Sequence, residues 1–215
     1  MQSFESARAG FMIYELTAVI SKNKDYLSEI DGASGDGDHG VNMNKGFTMC
    51  RERLEGEIDA VGLAAAADEL GNILLSEIGG SMGPLYGSFF LEMAQSLQGK
   101  ERVGADDFLA MLKAGLSGIT DIVPTKLGDK TLLDVLIPSV ESFEATLAGG
   151  GDFSDALSAL KETAWASRES MKDMVAKVGR ASRMGERSRG FYDAGATSCA
   201  LILSSMADSA LKLLN

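Results

Sequence analysis

The sequence predicts an all-α fold, and three observations carry that prediction. Apolar residues recur at three- and four-residue steps through eight segments. Strand signals are nearly absent: "TDIVPT" is the only short β-leaning run, and Pro124 interrupts it. Alanine, leucine and methionine are plentiful while aromatic residues make up only 7%, a balance that favours helices over strands.

The first helix is expected over roughly Ser3 to Asp25, with Phe4, Ala7, Phe11, Tyr14 and Ala18 on one face. The second opens just after Gly40 and runs to about Leu54. The third takes Asp59 as its N-cap and continues to Gly79. The fourth follows Pro84, whose missing N–H is harmless in a first turn, and ends near Leu97. The fifth starts after "GADD", capped by Asp106 or Asp107, and reaches about Ile122. The sixth begins at "DKTLLDVLIPSVESF", where internal Pro138 should kink it or shift its register. The seventh covers about Phe153 to Lys177 and the eighth about Gly195 to Leu214. No fixed-period repeat is evident, which argues against a solenoid.

The most unusual connections follow the first, third, fifth and seventh helices. If neighbouring helices run antiparallel, these alternate loops lie at one end of the bundle. That arrangement gathers "DGASGDGDHG", "GGSMGP", "KLGDKT" and "GRASRMGERSRGFYDAG".

At 215 residues the chain suits one domain or a tight pair, and 45% hydrophobic content is enough for a sizeable core. The formal net charge of −11 argues against duplex DNA or anionic lipid as a partner. Cys50 and Cys199 form no CxxC pair, so a reducing compartment is expected. The N-terminus carries Glu5 and Glu15 and does not read as a signal peptide. No stretch approaches the roughly 18 unbroken apolar residues of a membrane helix. The expectation is a cytoplasmic protein with neither nucleic acid nor membrane as a partner.

The acidic loop is the densest chemical feature. Asp31, Asp36 and Asp38 are spaced by Gly32, Gly35, Gly37 and Gly40 and are expected on a loop. Glycine permits tight reversals that aim nearby carboxylates at one point. Converging carboxylates repel one another and persist when cations neutralise them, and hard oxygen ligands select Mg²⁺ or Ca²⁺. The twelfth position counted from Asp36 is Phe47, so the EF-hand pattern is not met. A helix begins directly afterwards, and its free N–H groups favour an anion. The combination suits a metal–phosphate complex.

Three further loops share that leaning. "GGSMGPLYGSFF" offers backbone N–H groups and the Ser81 hydroxyl ahead of a helix, though it also reads as an ordinary turn. "KLGDKTLLD" sets Lys130 toward a phosphate, or else Asp129 is an N-cap and Lys130 is solvated. Arg180, Arg183, Arg187 and Arg189 fall within ten residues, suited to phosphate oxygens or to carboxylates of the acidic surface. His39 is the only histidine, so no Ser-His-Asp or Cys-His arrangement can be built. Metal-centred phosphoryl transfer, which needs mainly positioning and charge neutralisation, matches the inventory better.

Together "GDGDHGVNMNKGF", "GGSMGPLYGSFF", "GDKTLLDVLIP" and "GRASRMGERSRGFYDAGATS" resemble the nucleotide-binding L subunit of dihydroxyacetone kinase and the C-terminal domain of single-chain ATP-dependent kinases. The resemblance covers essentially the whole chain and implies one domain over residues 1–215. The implied fold is a barrel of eight antiparallel amphipathic helices with the nucleotide at one end. Asp31, Asp36 and Asp38 match the carboxylates that hold two Mg²⁺ ions. His39, Gly40, Asn42, Gly80, Ser81, Met82, Leu132, Arg180, Asp193 and Gly195 match positions at the ADP or ATP.

The resemblance also implies a separate K subunit that carries the ketose covalently, which makes this chain half of an enzyme. An M-type phosphocarrier, a transcription regulator and a second copy of the chain are further partners found in the family. Where the family often reads GHxDPGA, this chain has "GFYDAGA", with Phe191 and Ala194 in place of His and Pro. The ketose is dihydroxyacetone or a relative such as erythrulose, and the phosphate source is either exchangeable ATP or a phosphoenolpyruvate relay. The competing readings are an ADP-dependent partner of a regulator and a fatty-acid-kinase-like role. Against the latter stands Asp38-His39-Gly40, where that family usually has DGDTG.

Overall fold

The computed structural model describes residues 2–56 and 60–214. Asp59, expected to cap the third helix, lies outside the described residues. Within them the chain is all-α apart from one small sheet.

The expected first helix is divided. Strand β1 (Ser3–Glu5) and a 3₁₀ turn (Ser6–Arg8) come first, followed by α1 (Phe11–Lys22) and α2 (Lys24–Gly32). β1 pairs antiparallel with β2 (Arg102–Gly104), setting Phe4 opposite Val103, both buried. A three-residue strand is too short to show a period, so only its distant partner defines it. Between α1 and α2, the Asn23 amide donates to the Val19 carbonyl at 2.8 Å and closes α1. Asp31 therefore sits in the last turn of α2 and not on a loop.

The remaining helices are α3 (His39–Leu54), α4 (Leu63–Glu77), α5 (Met82–Ser96), α6 (Ala105–Thr120), α7 (Leu133–Ala148), α8 (Phe153–Ser170) and α9 (Ala194–Leu214). α6 begins before its acids, and the Asp107 carboxylate reaches back to accept the Gly104 N–H at 3.1 Å. α7 begins later than expected, because Gly128 and Lys130 both adopt left-handed φ. It runs as one helix through Pro138. α8 ends at Ser170, well before Lys177, and "TDIVPT" forms no strand.

Helix neighbours follow the chain. α3 packs on α1 and α4, and then α4 on α5, α5 on α6, α6 on α7, α7 on α8 and α8 on α9. α9 returns to α1, while α2 lies against α3 and α9. Glycines bring α4 and α5 close: a Cβ on Gly83 would lie 2.1 Å from the Ile78 carbonyl oxygen, and one on Gly71 would lie 3.0 Å from that of Gly87. The core is one apolar cluster in which Phe108 stacks on Phe143 at 5.7 Å and Phe153 meets Phe108 edge-on at 5.5 Å. By length and composition α9 is the one described helix able to cross a membrane, but 67% of its apolar window is buried inside the protein. That is the profile of a central core helix.

Candidate functional site

The acidic loop, the glycine turn, the 130–133 segment, the arginine-bearing loop and the start of α9 meet around a cavity of about 330 Å³. That volume falls at the lower end of small-molecule sites. Leu85, Ile119, Val123 and Leu132 supply an apolar wall. The polar side is built from Asp31, Asp38, His39 and Asn42, facing Ser81 and Arg180. Gly80, Met82, Asp193 and Gly195 complete the set of sequence-singled residues that line it.

The carboxylates of Asp31, Asp36 and Asp38 each place an oxygen within 4.8 Å of the others. Asp31 is half-buried, while Asp36 and Asp38 are exposed. Gly37, with φ of 78°, turns the chain between the two exposed acids. The His39 N–H reaches Asp31 Oδ2 at 3.4 Å, so the first residue of α3 leans on the same cluster. Arg180 pairs with Asp36 and lies 4.0 Å from Asp38. Three oxygen donors at this spacing fit a hard divalent cation.

Two singled-out residues do not line the cavity. Asp36 belongs to the carboxylate cluster on its outer side. Gly40 is buried where α3 meets α2, and a Cβ there would lie 2.0 Å from the Lys24 carbonyl oxygen. Helix packing at this point requires a glycine. In the glycine turn, Gly80 has a left-handed φ of 74°, and a Cβ on Gly79 or Gly80 would meet nothing within 4 Å. The first N–H groups of α5 open beside that space.

His39 is held from behind. Its Nε2 lies 2.9 Å from the Ser198 hydroxyl, which is 2.8 Å from the Tyr86 phenol. Tyr86 also donates to the Gly195 carbonyl at 3.1 Å. Burial pushes the His39 pKa down to about 4, outweighing the opposing pull of Asp31, so the ring is neutral at pH 7. Asp193 caps α9 by accepting the Ala196 N–H at 2.7 Å. Burial raises its pKa to about 6, against that hydrogen bond and Lys130.

Sequence reasoning missed several contributors. Tyr86 and Ser198 read as ordinary core-helix residues. Lys130 is neither solvated nor beside an N-cap, but buried, with its ammonium bonded to the Met174 and Ser188 carbonyls. Asp134, in the first turn of α7, reaches back to accept the N–H groups of Gly128 and Thr131.

Arg168 is 5% exposed and its guanidinium lies 3.4 Å from the centre of the Tyr192 ring. It also bonds Tyr26, Glu169 and Thr197, so it joins α2, α8 and α9 beside the residue that precedes Asp193. Nothing in the sequence links Tyr26 and Tyr192 to Arg168.

A family model described as the DAK2 domain matches residues 33–208. The ADP-binding subunit DhaL of PEP-dependent dihydroxyacetone kinase 2 from Listeria innocua is 35% identical over 201 residues, spanning 93% of this chain and 92% of that protein. The corresponding DhaL subunit from Escherichia coli is 35% identical over 189 residues, spanning 88% of this chain and 90% of that protein. The crystal structure of the dihydroxyacetone kinase from C. freundii in complex with AMP-PNP and Mg²⁺ superposes with a TM-score of 0.70 at 25% identity. The match covers 97% of this chain and 35% of that one.

Proposed function

This chain belongs to the DAK2-domain family, and we propose that it is the nucleotide-binding subunit of a dihydroxyacetone-type kinase, active with a partner subunit that presents the ketose. One observation carries the reading: three carboxylates converge within 4.8 Å at a cavity whose other walls are the glycine turn and the Arg180 loop.

Asp31, Asp36 and Asp38 hold two Mg²⁺ ions in this reading, and those ions neutralise the phosphate oxygens of ADP or ATP. The N–H groups at Ser81 and Met82 face the same phosphates, and Arg180 adds a charge-assisted donor. Leu132 and its apolar neighbours receive the base. His39, neutral and fixed by Ser198, offers a directed hydrogen bond without adding charge. Asn42, Asp193 and Gly195 close the remaining sides. The closed sequence of neighbours formed by α1 and α3 through α9, eight helices, supports the eight-helix barrel.

Val41, Ile122, Leu127, Val178 and Phe191 are exposed apolar side chains on the loops and helix ends around this site. Such a rim suits docking of a K-type partner. The relatives' description as PEP-dependent favours a relay through an M-type phosphocarrier over free exchange of ATP, and a cytoplasmic location belongs to the same reading. No observation favours the regulator or erythrulose alternatives.

The test is reconstitution. The protein is mixed with K components, Mg²⁺ and either ATP or a phosphoenolpyruvate relay, and dihydroxyacetone phosphate is measured. Product should appear only when both halves are present. In parallel, calorimetry should show Mg-ADP affinity falling at least 100-fold in Asp38→Ala, since a charged metal ligand is lost. Unchanged affinity in that variant removes the basis of the assignment.

A further inference from the structure

Lys130 is unusual in two independent respects. It is the one described residue other than glycine with a left-handed φ, at 64°. Its side chain also carries a charge while being only 4% exposed. Non-glycine residues adopt that backbone region at a steric penalty, and a buried ammonium persists only with partners. Strained, buried groups of this kind concentrate where the surrounding structure uses them.

The partners are specific. Lys130 Nζ donates to the Met174 carbonyl at 2.9 Å and to the Ser188 carbonyl at 2.8 Å. Those carbonyls stand at the two ends of the segment that carries Arg180, Arg183 and Arg187. The same ends are joined by the Ser188 hydroxyl, which accepts the Ala176 N–H at 2.9 Å. The Lys177 N–H adds a bond to the Asp129 carbonyl at 3.1 Å. Asp134 shapes the turn below by holding the N–H groups of Gly128 and Thr131, which leaves Lys130 in its left-handed conformation. Lys130 also lines the cavity, and an ammonium has one donor beyond these two bonds.

We propose that Lys130 is a positioning residue for nucleotide binding: it clamps both ends of the arginine-bearing loop so that Val178 to Ala181 wall the cavity and Arg180 stands over the acidic loop. The ligand class is a nucleoside diphosphate or triphosphate, and in that respect the inference rests on the function proposed above. Burial lowers the proton affinity of the ammonium, and Asp193 opposes that effect. The strained backbone is then the consequence of steering a lysine stem upward from a tight turn.

Three variants of the full chain test this. Lys130→Met keeps the stem and loses the donors, Lys130→Gly also relieves the backbone, and Lys130→Arg keeps donors. Three readouts separate the roles: tryptic cleavage after Arg180, Arg183, Arg187 and Arg189, Mg-ADP affinity by calorimetry, and Mn²⁺ affinity without nucleotide. In Lys130→Met and Lys130→Gly, loop cleavage should accelerate at least tenfold and Mg-ADP should bind about tenfold more weakly. Mn²⁺ alone should bind as tightly as in the parent or a few-fold more tightly, because the three aspartates sit on other elements and a released Arg180 no longer competes for them. Lys130→Arg should recover part of both losses.

Unchanged cleavage and unchanged Mg-ADP affinity overturn the clamp, as does an equal loss of Mn²⁺ binding, which marks a general structural role. If Lys130→Met does not fold, Lys130→Gly decides. If the parent chain itself fails to bind Mg-ADP, the nucleotide reading falls, and the cleavage arm still decides the clamp.

Discussion

Nε2 of His39 lies 2.9 Å from the hydroxyl of Ser198, tying the first residue of α3 to the beginning of α9 beside the cavity. The same hydroxyl meets Tyr86 of α5 at 2.8 Å and donates to the Gly195 carbonyl at 3.0 Å. One serine thus joins three helices that each contribute to the site. Ser198→Ala leaves two buried partners short of a bond and should lower stability by about 1–3 kcal/mol. The freed imidazole should weaken Mg-ADP binding several-fold. Urea denaturation and titration calorimetry on the same preparations check both effects, and Tyr86→Phe should show a smaller loss of affinity because His39 keeps its partner.

Arg180 supplies a charge to the acidic cluster, pairing with Asp36 and approaching Asp38. Its removal should therefore have opposite consequences for two ligands. Mn²⁺ without nucleotide should bind a few-fold more tightly to Arg180→Ala, because a competing positive charge is gone and exposed pairs contribute at most about 1 kcal/mol. Mg-ADP should bind about tenfold more weakly, because a charge-assisted donor to phosphate is lost. Manganese titration by electron paramagnetic resonance, set beside calorimetry with Mg-ADP, reads the two signs. Equal directions in both measurements contradict this role for Arg180.

The all-α class and the convergence of four loops were legible because both depend on local signals, apolar periodicity and glycine punctuation. Features set by distant partners were not. β1 exists because residues about 100 positions away pair with it. Arg168 lies within the helical pattern of α8 but is buried against Tyr26 and Tyr192, partners that no local signal gives, so Arg168→Ala should destabilise the fold. The glycines of "GGSMGPLYGSFF" looked alike in sequence but have two different causes.

That division can be measured. A Cβ on Gly83 would lie 2.1 Å from the Ile78 carbonyl oxygen and 2.7 Å from that of Leu74. Gly83→Ala should therefore push α4 and α5 apart and lower stability by about 3 kcal/mol or more. Gly79 has open space and no left-handed φ, so Gly79→Ala should stay within about 0.5 kcal/mol of the parent. Chemical denaturation distinguishes the two, and similar losses would show that the turn glycines also serve packing.

The two cysteines give the fold an alkaline limit. Burial pushes the Cys50 thiol up to about 12 and that of Cys199 higher still. In the unfolded chain both thiols ionise near pH 8.5. Above that pH the unfolded state sheds protons that the native state keeps, so stability falls as pH rises, by at most about 1.4 kcal/mol per thiol per pH unit. The stabilisation is fully present below the unfolded value and is lost progressively toward pH 12. Urea unfolding at pH 8 and pH 10 should show a steeper decline for the parent than for the Cys50→Ala/Cys199→Ala variant, whatever the absolute stability of the latter. The same shifts leave almost no thiolate at pH 8, so native protein should react with thiol reagents far more slowly than urea-unfolded protein. Rapid native labelling of Cys50 would place its thiol in contact with solvent and contradict its burial on the inner face of α3.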